Sequence, residues 1–441
     1  MGILENILHN FWWLLVLIGI MIVIHELGHY MVARCCDVHI EAFSIGFGPK
    51  LFHWQRGETE FRICCLPVGG YVRMAGEQPT DSPDPRGFNV KPRWQRLLIV
   101  LAGPAMNVVL AFALLAGLFM LHYPKLAGAT QAATVGYVKP GSPAARAGLQ
   151  EGDVLVQLED KQDPTWEDVA LREVVSANRL LPLLVERNGK LLHMAVMPEA
   201  EPASGLGSAG WIPQTDVEVG GFIPGMNAER KGLRKGDQFV SIDGEPIRMA
   251  QKVHEILTRS NGQPAHLVLR RNTQLLEMDF TPVRGELAGQ PSWMLGVELA
   301  PRVVYVKLPF VDAVRESVHQ NARGATLIYQ FLSAIVERRS SAKSLSGPIG
   351  IAQLSGQAAR EGAFPFIELM ASVSLNLAIF NLLPIPILDG GMILLLLIEI
   401  LIRRDLSLQI KETVFKLGFV FLVMAVAFVI YNDITKILPG S

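Results

Sequence analysis

The sequence predicts a polytopic α-helical membrane protein. It should have four transmembrane helices, a membrane-associated β-hairpin region on the cytoplasmic side, and two small exported α/β domains between the second and third helices. Three observations predict it. Half of the 441 residues are hydrophobic and only 18% are charged, against about 25% charged in ordinary soluble domains. Apolar residues gather into four stretches near the roughly 20 residues a bilayer span needs. A long segment between the second and third stretch is polar and repeats itself.

The first domain, residues 1–33, is the first span, apolar from Phe11 onward but carrying His25, Glu26 and His29. Residues 97–121, the second span, contain no charged side chain. The third, 371–402, is apolar around Asn376, Asn381, Asp389 and Glu399, and the fourth, 413–432, carries only Lys416, which can snorkel to an interface. Lysine and arginine set the orientation. The connection 34–96 holds nine of them, the one after the third span holds Arg403, Arg404 and Lys411, and residues 1–10 hold none. Both short connections are therefore expected in the cytoplasm, with both termini and the repeated segment outside. A cleaved signal peptide is the competing reading of the first span; processing there would discard His25, Glu26 and His29.

Net charge is −1 and the isoelectric point about 6.8, which excludes the basic excess of a nucleic-acid binder. The four cysteines form two adjacent pairs, Cys35–Cys36 and Cys64–Cys65. That spacing suits neither a disulfide framework nor a metal knuckle, so reduced cytoplasmic thiols are expected, with a redox role as the alternative.

Within the exported segment, Pro140 to Asp153 matches Pro224 to Asp237 at a constant offset of 84 residues, and each copy runs into an alternating apolar strand. The period is too long for a solenoid and fits two small domains, 130–215 and 216–300. Ala-x-x-x-Gly-Leu-x-x-Gly-Asp reads as a short helix stopped by glycine, then a tight turn into a strand. The pattern resembles PDZ domains of bacterial envelope proteases, which implies peptide ligands added at a sheet edge or steric gating; a plain spacer is the alternative. Residues 301–370 form a connector. Its stretch from Phe310 to Ile335, with Arg315, His319 and Arg323 among apolar residues and Glu337 just beyond, suits an interfacial helix or a simple link to the next span.

His25-Glu26-Leu27-Gly28-His29 is an HExxH motif. At i and i+4 both imidazoles face one metal ion, and the glutamate sits beside them to take a proton from water. Three ionisable groups in an apolar span cost several kcal/mol unless they are paired or functional; interhelical polar pairing is the alternative. Catalytic zinc usually has three protein ligands. Asn381-Leu382-Leu383-Pro384-Ile385-Pro386-Ile387-Leu388-Asp389-Gly390-Gly391 offers the third in Asp389, an isolated carboxylate in hydrocarbon. Pro384 and Pro386 should unwind the helix, which is tolerated only facing protein or a wet cavity. Gly390 and Gly391 are expected to let this backbone approach the first span.

The HELGH segment and the Asn-x-x-Pro-x-Pro-x-x-Asp-Gly segment, on two spans flanking the repeat, resemble the site-2 protease family of intramembrane zinc metalloproteases. The resemblance covers nearly the whole chain, including Phe43 to Gly48, Pro67 to Val72, Ala102-Gly103-Pro104-Ala105-Met106-Asn107 and Leu345 to Ile349. It implies a zinc ion held by His25, His29 and Asp389, Glu26 as catalytic acid and base, and Asn381 holding substrate backbone or steadying an oxyanion. It implies a bacterial inner-membrane enzyme cutting single-span membrane proteins within the lipid bilayer, with a trimmed anti-sigma factor and remnant signal peptides as leading substrates. Residues 43–73, glycine-punctuated and β-prone, would be hairpins dipping toward the site, their edge strand available to an unwound substrate; a plain surface hairpin is the alternative. Asn107 is expected to hydrogen-bond between helices. A tethered peptidase for soluble chains would place HExxH outside the apolar span, and a non-catalytic adaptor could dispense with Glu26 or Asp389.

Overall fold

The computed structural model describes residues 3–77, 84–121, 123–126, 132–201, 206–223, 225–287, 290–336 and 347–437. Pro224, Glu337, Leu345 and Ser346 lie outside them. The chain divides into two compact units, one of residues 1–123, 307–329 and 345–441, the other of 124–306 and 330–344.

In the first unit, α1 (Ile3–Cys35) leads into two long strands, β1 (Ile40–Arg56) and β2 (Thr59–Met74), and then α2 (Arg93–Met120). The glycine-punctuated segment is therefore β structure. It is not a plain hairpin. Residues 42–45 of β1 pair with 60–63 on one side and with 70–73 on the other, so the end of β2 forms an edge strand. Tyr30 of α1 meets Phe43 and Phe61 edge-on, anchoring the strands to the helix. Gly28 of α1 lies so close to the Ala102 carbonyl of α2 that a Cβ would collide with it, which is how small residues let membrane helices approach.

The second unit holds two modules related by the 84-residue offset well beyond the matching sequence. Helix α3 (Pro143–Arg146) and helix α4 (Trp166–Val175) belong to the first module, and α5 (Ala250–Ser260), the counterpart of α4, to the second. Strands Val154–Leu158, Leu181–Arg187 and Lys190–Val196 correspond to Gln238–Ile242, Ala265–Arg271 and Gln274–Phe280, with antiparallel pairing in the same order. Leu155, Val185 and Val196 fill one core; Phe239, Leu269 and Phe280 fill the other at the equivalent positions. Asp153 and Asp237, each 1% exposed, are gripped by the paired nitrogens of Arg187 and Arg271 at 2.6–2.8 Å. The same arginines reach the Gly148 and Gly232 carbonyls at 2.8 Å.

One expectation fails in the second copy. Ser142 caps α3, accepting from the Ala145 amide at 3.2 Å, and Pro143 opens the helix. The equivalent positions are Met226 and Asn227, and residues 225–235 form turns rather than a helix. Methionine offers no oxygen to an orphan amide, and asparagine lacks the fixed φ that suits proline to a first helical turn.

Beyond the modules come α6 (Phe310–Val336), α7 (Pro348–Glu361), α8 (Ala363–Leu382), α9 (Asp389–Ile402) and α10 (Leu408–Ile437). Among the described residues, four helices are long and apolar enough to cross a membrane: Leu4–Cys35, Arg93–Met120, Ala363–Leu382 and Gln409–Thr435. The third span expected over 371–402 is two helices. Its membrane-length part starts earlier, at Ala363, and α9, with 14 residues, is about 21 Å long, short of the roughly 30 Å hydrocarbon core. Asp433 near the end of α10 accepts from the Gly347, Ile349 and Gly350 amides at 2.9–3.1 Å, capping α7. Glu399 of α9, fully buried, meets Lys411 of α10 at 2.7 Å and Arg96 of α2 at 3.4 Å.

Candidate active site

The site is assembled from the middle of α1, the facing stretch of α2, and the break between α8 and α9. His25 and His29 stand one turn apart on α1, each 8% exposed, with ring centroids 4.8 Å apart. Their Nε2 atoms lie 3.2 Å from each other. Beneath them runs α2 at Gly103, where any Cβ would collide with the His29 ring and come within 2.8 Å of His25 Nε2. Glycine there leaves room for both imidazoles. The sequence showed the Ala-Gly-Pro segment but not this reason for it.

Asp389 arrives from the other side. Helix α8 stops at Leu382 because Pro384 and Pro386 cannot continue it. The chain then turns tightly, with the Ile385 amide donating to the Leu383 carbonyl at 2.6 Å and the Leu388 amide to the Ile385 carbonyl at 3.1 Å. Ile387 has φ of 85°, an unfavourable region for a β-branched residue and one that persists where surrounding structure enforces it. Gly390 and Gly391 do not approach the first span as expected. A Cβ on either would strike the carbonyls of the turn itself, at Leu383 and Ile385. They make the turn possible, and the turn delivers Asp389 as the first residue of α9. Close contact between spans falls instead to Gly28 and Gly103.

The Asp389 carboxylate lies 3.1 Å from His25 Nε2 and 3.6 Å from His29 Nε2. The three ligating atoms all fall within 4.8 Å of one another. Two neutral imidazole nitrogens and one carboxylate oxygen, with one side open, are the donor set of catalytic zinc. The cradle at Gly103 gives the residues room to hold it. His29 Nδ1 donates to the Ile99 carbonyl at 2.8 Å, leaving Nε2 free to point at the carboxylate. His25 Nδ1 faces Asn107, 3.2 Å away.

Glu26 opens onto the same cavity, of about 810 Å³, together with His25, His29, Asn381 and Asp389. Another wall is the edge strand Tyr71–Met74. Gly70 of that strand lies flat against α1, where a Cβ would approach Glu26 Cγ to 3.2 Å, and the Val72 backbone bonds the Glu26 carboxylate. All five residues singled out from the sequence, His25, Glu26, His29, Asn381 and Asp389, are thus brought together. Asn107 makes the bond between helices expected of it, and its partner is His25; the Ile99 carbonyl was missed, because a backbone carbonyl carries no sequence signal. None of the four cysteines, all free, is among these residues.

The family model for Peptidase family M50 matches residues 13–425. Regulator of sigma-E protease RseP of Salmonella typhimurium is 30% identical over 458 residues, covering 98% of this chain and all of that one. A protein of Vibrio cholerae named as a zinc metalloprotease is 30% identical over 463 residues, with 98% and 100% covered. Among solved structures, the PDZ domain of an SdrC-like protein of Listeria monocytogenes is 18% identical with a TM-score of 0.18, covering 20% of this chain and 92% of that one, too slight a likeness to fix a fold. A family match over nearly the whole length, four membrane-length helices, and two histidines with an aspartate on one cavity agree: the chain belongs to Peptidase family M50, the site-2 protease family, and is a membrane zinc metalloprotease.

Proposed function

We propose that the protein hydrolyses peptide bonds within transmembrane segments of single-span proteins, with His25, His29 and Asp389 as zinc ligands and Glu26 as acid and base. Zinc supplies Lewis-acid activation of water and of the scissile carbonyl. Glu26 takes the proton from the attacking water and passes it to the leaving amine. Asn381, on the cavity wall, holds substrate backbone or steadies the developing oxyanion. A helical peptide bond is shielded by its own hydrogen bonds, so the substrate must unwind. The edge strand Tyr71–Met74 beside Glu26 can pair with it by β-addition, and the exposed Leu51, Phe52 and Trp54 of β1 suit contact with lipid.

The observation that carries this reading is the three-donor cluster beside Glu26 on a cavity walled by an edge strand. The test is cleavage of a transmembrane substrate by the purified protein, with and without a zinc chelator. Chelator-insensitive cleavage, or cleavage of soluble peptides alone, would sink it.

The substrates implied by the family resemblance are a trimmed anti-sigma factor in a bacterial inner membrane and, second, remnant signal peptides; the name of the Salmonella relative, a regulator of sigma-E protease, supports the first. Residues 34–96 and 403–411 face the cytoplasm in this proposal, and both termini and the modules face the periplasm. Cysteines engineered near residues 150 and 235 should then react with an impermeant reagent added outside, and those near 60 and 405 should not. The modules, whose sequence pattern resembles PDZ domains, lie between the second and third spans in the chain and act as a size filter that rejects substrates with large folded exteriors. Deleting residues 130–300 should admit an untrimmed substrate. If peptide capture by the modules activates the enzyme instead, the deletion will slow cleavage of the trimmed one and leave the untrimmed one intact.

A further inference from the structure

The two histidines of the site are alike in everything except what holds the far side of the ring. His29 Nδ1 lies 2.8 Å from the Ile99 carbonyl, which only accepts, so its proton sits on Nδ1 and Nε2 keeps its lone pair. His25 Nδ1 faces the side-chain amide of Asn107, 3.2 Å away, and an amide can donate or accept. The choice decides what His25 can do. If the NH2 group donates to Nδ1, the ring proton must sit on Nε2 and His25 cannot bind a metal ion. If the oxygen faces Nδ1–H, Nε2 is free.

Asn107 has no surface exposure, and its Oδ1 has no hydrogen-bond partner among the described residues. An amide's oxygen and nitrogen are interchangeable in shape, so their assignment depends on the bonds around them. The backbone at Asn107 is held independently: Ser374 of α8 donates to its carbonyl at 2.8 Å. The side chain is therefore free to turn its oxygen to His25 without disturbing the helix contact.

We propose that Asn107 is a positioning residue for the metal site. Its side-chain oxygen accepts from His25 Nδ1, fixes the ring as the Nε2-ligating tautomer, and does for His25 what the Ile99 carbonyl does for His29. Ligating histidines usually hand their second ring proton to such an acceptor, and losing it costs roughly 10- to 100-fold in metal affinity. The inference rests on the zinc site proposed above, and the helix-to-helix bond expected at Asn107 becomes the means of ordering a ligand.

The test measures zinc affinity of the full chain in detergent by competition with a chromophoric chelator, alongside the thermal midpoint. Asn107→Leu keeps the shape and removes the acceptor; it should weaken zinc binding roughly 10- to 100-fold. Asn107→Asp presents oxygen at both ends and should bind zinc within a few-fold of the wild type. Ser374→Ala removes the bond to the Asn107 backbone and should lower the midpoint without changing zinc affinity. Wild-type affinity in Asn107→Leu, or an Asn107→Asp as weak as Asn107→Leu, would overturn the assignment. A wild-type protein that binds no zinc would overturn the metal site itself, and this inference with it.

Discussion

The chain draws carboxylates out of solvent in both of its units, fully at Asp153 and Asp237 and partly at Asp389, and completes them in opposite ways. Asp153 and Asp237 each face an arginine that offers two parallel donors, and each also accepts a backbone amide, from Gln150 and from Arg234, at 2.9 and 2.7 Å. Nothing is left over: charge, lone pairs and geometry are answered within the protein. Among the described residues, Asp389 meets two imidazoles, whose nitrogens crowd to 3.2 Å of each other on the same side. Three electron-pair donors converging on one point repel one another unless something positive lies between them. A closed set of partners marks a structural lock, and an open set of donors marks a place for a cation.

The largest effect should come from breaking the open site. Asp389→Ala is expected to lose both zinc and cleavage. Glu26→Gln should lose cleavage by a factor of roughly 10² to 10⁴, the range general acid–base catalysis supplies, and keep zinc near stoichiometric because Glu26 is not among the converging donors. Metal analysis of the two variants decides it: an empty Glu26→Gln beside a full Asp389→Ala would exchange their roles.

Breaking the closed site should cost stability and leave the chemistry alone. Arg271→Met strands a buried carboxylate, and removing one partner of a buried pair costs about 3–5 kcal/mol. Hydrogen exchange in the full chain should show lost protection across residues 217–301, with zinc content unchanged. Unaltered protection there would show that the arginine fork contributes nothing.

The same variant sharpens the comparison through pH. Burial pushes the Asp237 carboxyl up, but the Arg271 guanidinium and the Arg234 amide outweigh it and hold the group below its ordinary value. A carboxyl lowered on folding stabilises above its unfolded pKa, about 3.9, and that contribution is lost as pH falls through the folded value. In Arg271→Met the Arg234 amide still favours the carboxylate but the guanidinium no longer does, so the folded pKa moves up and the stabilisation the carboxylate supplies above it shrinks. Protection of the second module in the two proteins should therefore diverge between pH 3 and neutrality and converge below it. A constant gap across that range would remove Asp237 from the account.

How legible these sites were depends on how local their signals are. The spans were readable because twenty apolar residues in a row have few other uses, and the histidines because i and i+4 share a helix face. Asp389 was readable because two prolines and a carboxylate in hydrocarbon each require a reason. The start of α8 at Ala363 was not, since Ala363 to Met370 is less apolar than the stretch from Ala371 onward and carries Glu368. Arg187 and Arg271 obey the 84-residue offset, and so do Asn188 and Asn272 beside them, yet they lie 34 residues from their partners, and nothing in the sequence says that these two ends of the repeat meet. Gly103 and the Ile99 carbonyl act across two helices about 70 residues apart, and for Asn107 the interhelical bond was legible but its partner, His25, was not. The role of Gly390 and Gly391 was misread because a glycine shows only that something comes close, not what.

The smallest expected effect tests whether the two modules differ for the reason given. In the first, Ser142 supplies the oxygen that caps α3. In the second, Met226 turns toward Gly285 and Gly296, where a Cβ would come within 2.6 and 2.7 Å of it, so that loop is held by packing and needs no cap. Ser142→Ala should cost about 1 kcal/mol, the usual value of a capping hydroxyl, and keep the Cβ that lies against Gly210. A change of that size alters an opening equilibrium about fivefold. Amides of residues 145–149 should exchange faster by about that factor, while those of 229–233, which have no such cap to lose, stay as they are. The Asp153–Arg187 fork sits directly after this turn, and its persistence in the variant would show that the cap shapes the turn while the fork holds it. If the amides of residues 145–149 exchange no faster, the missing helix in the second copy needs another cause than the missing serine.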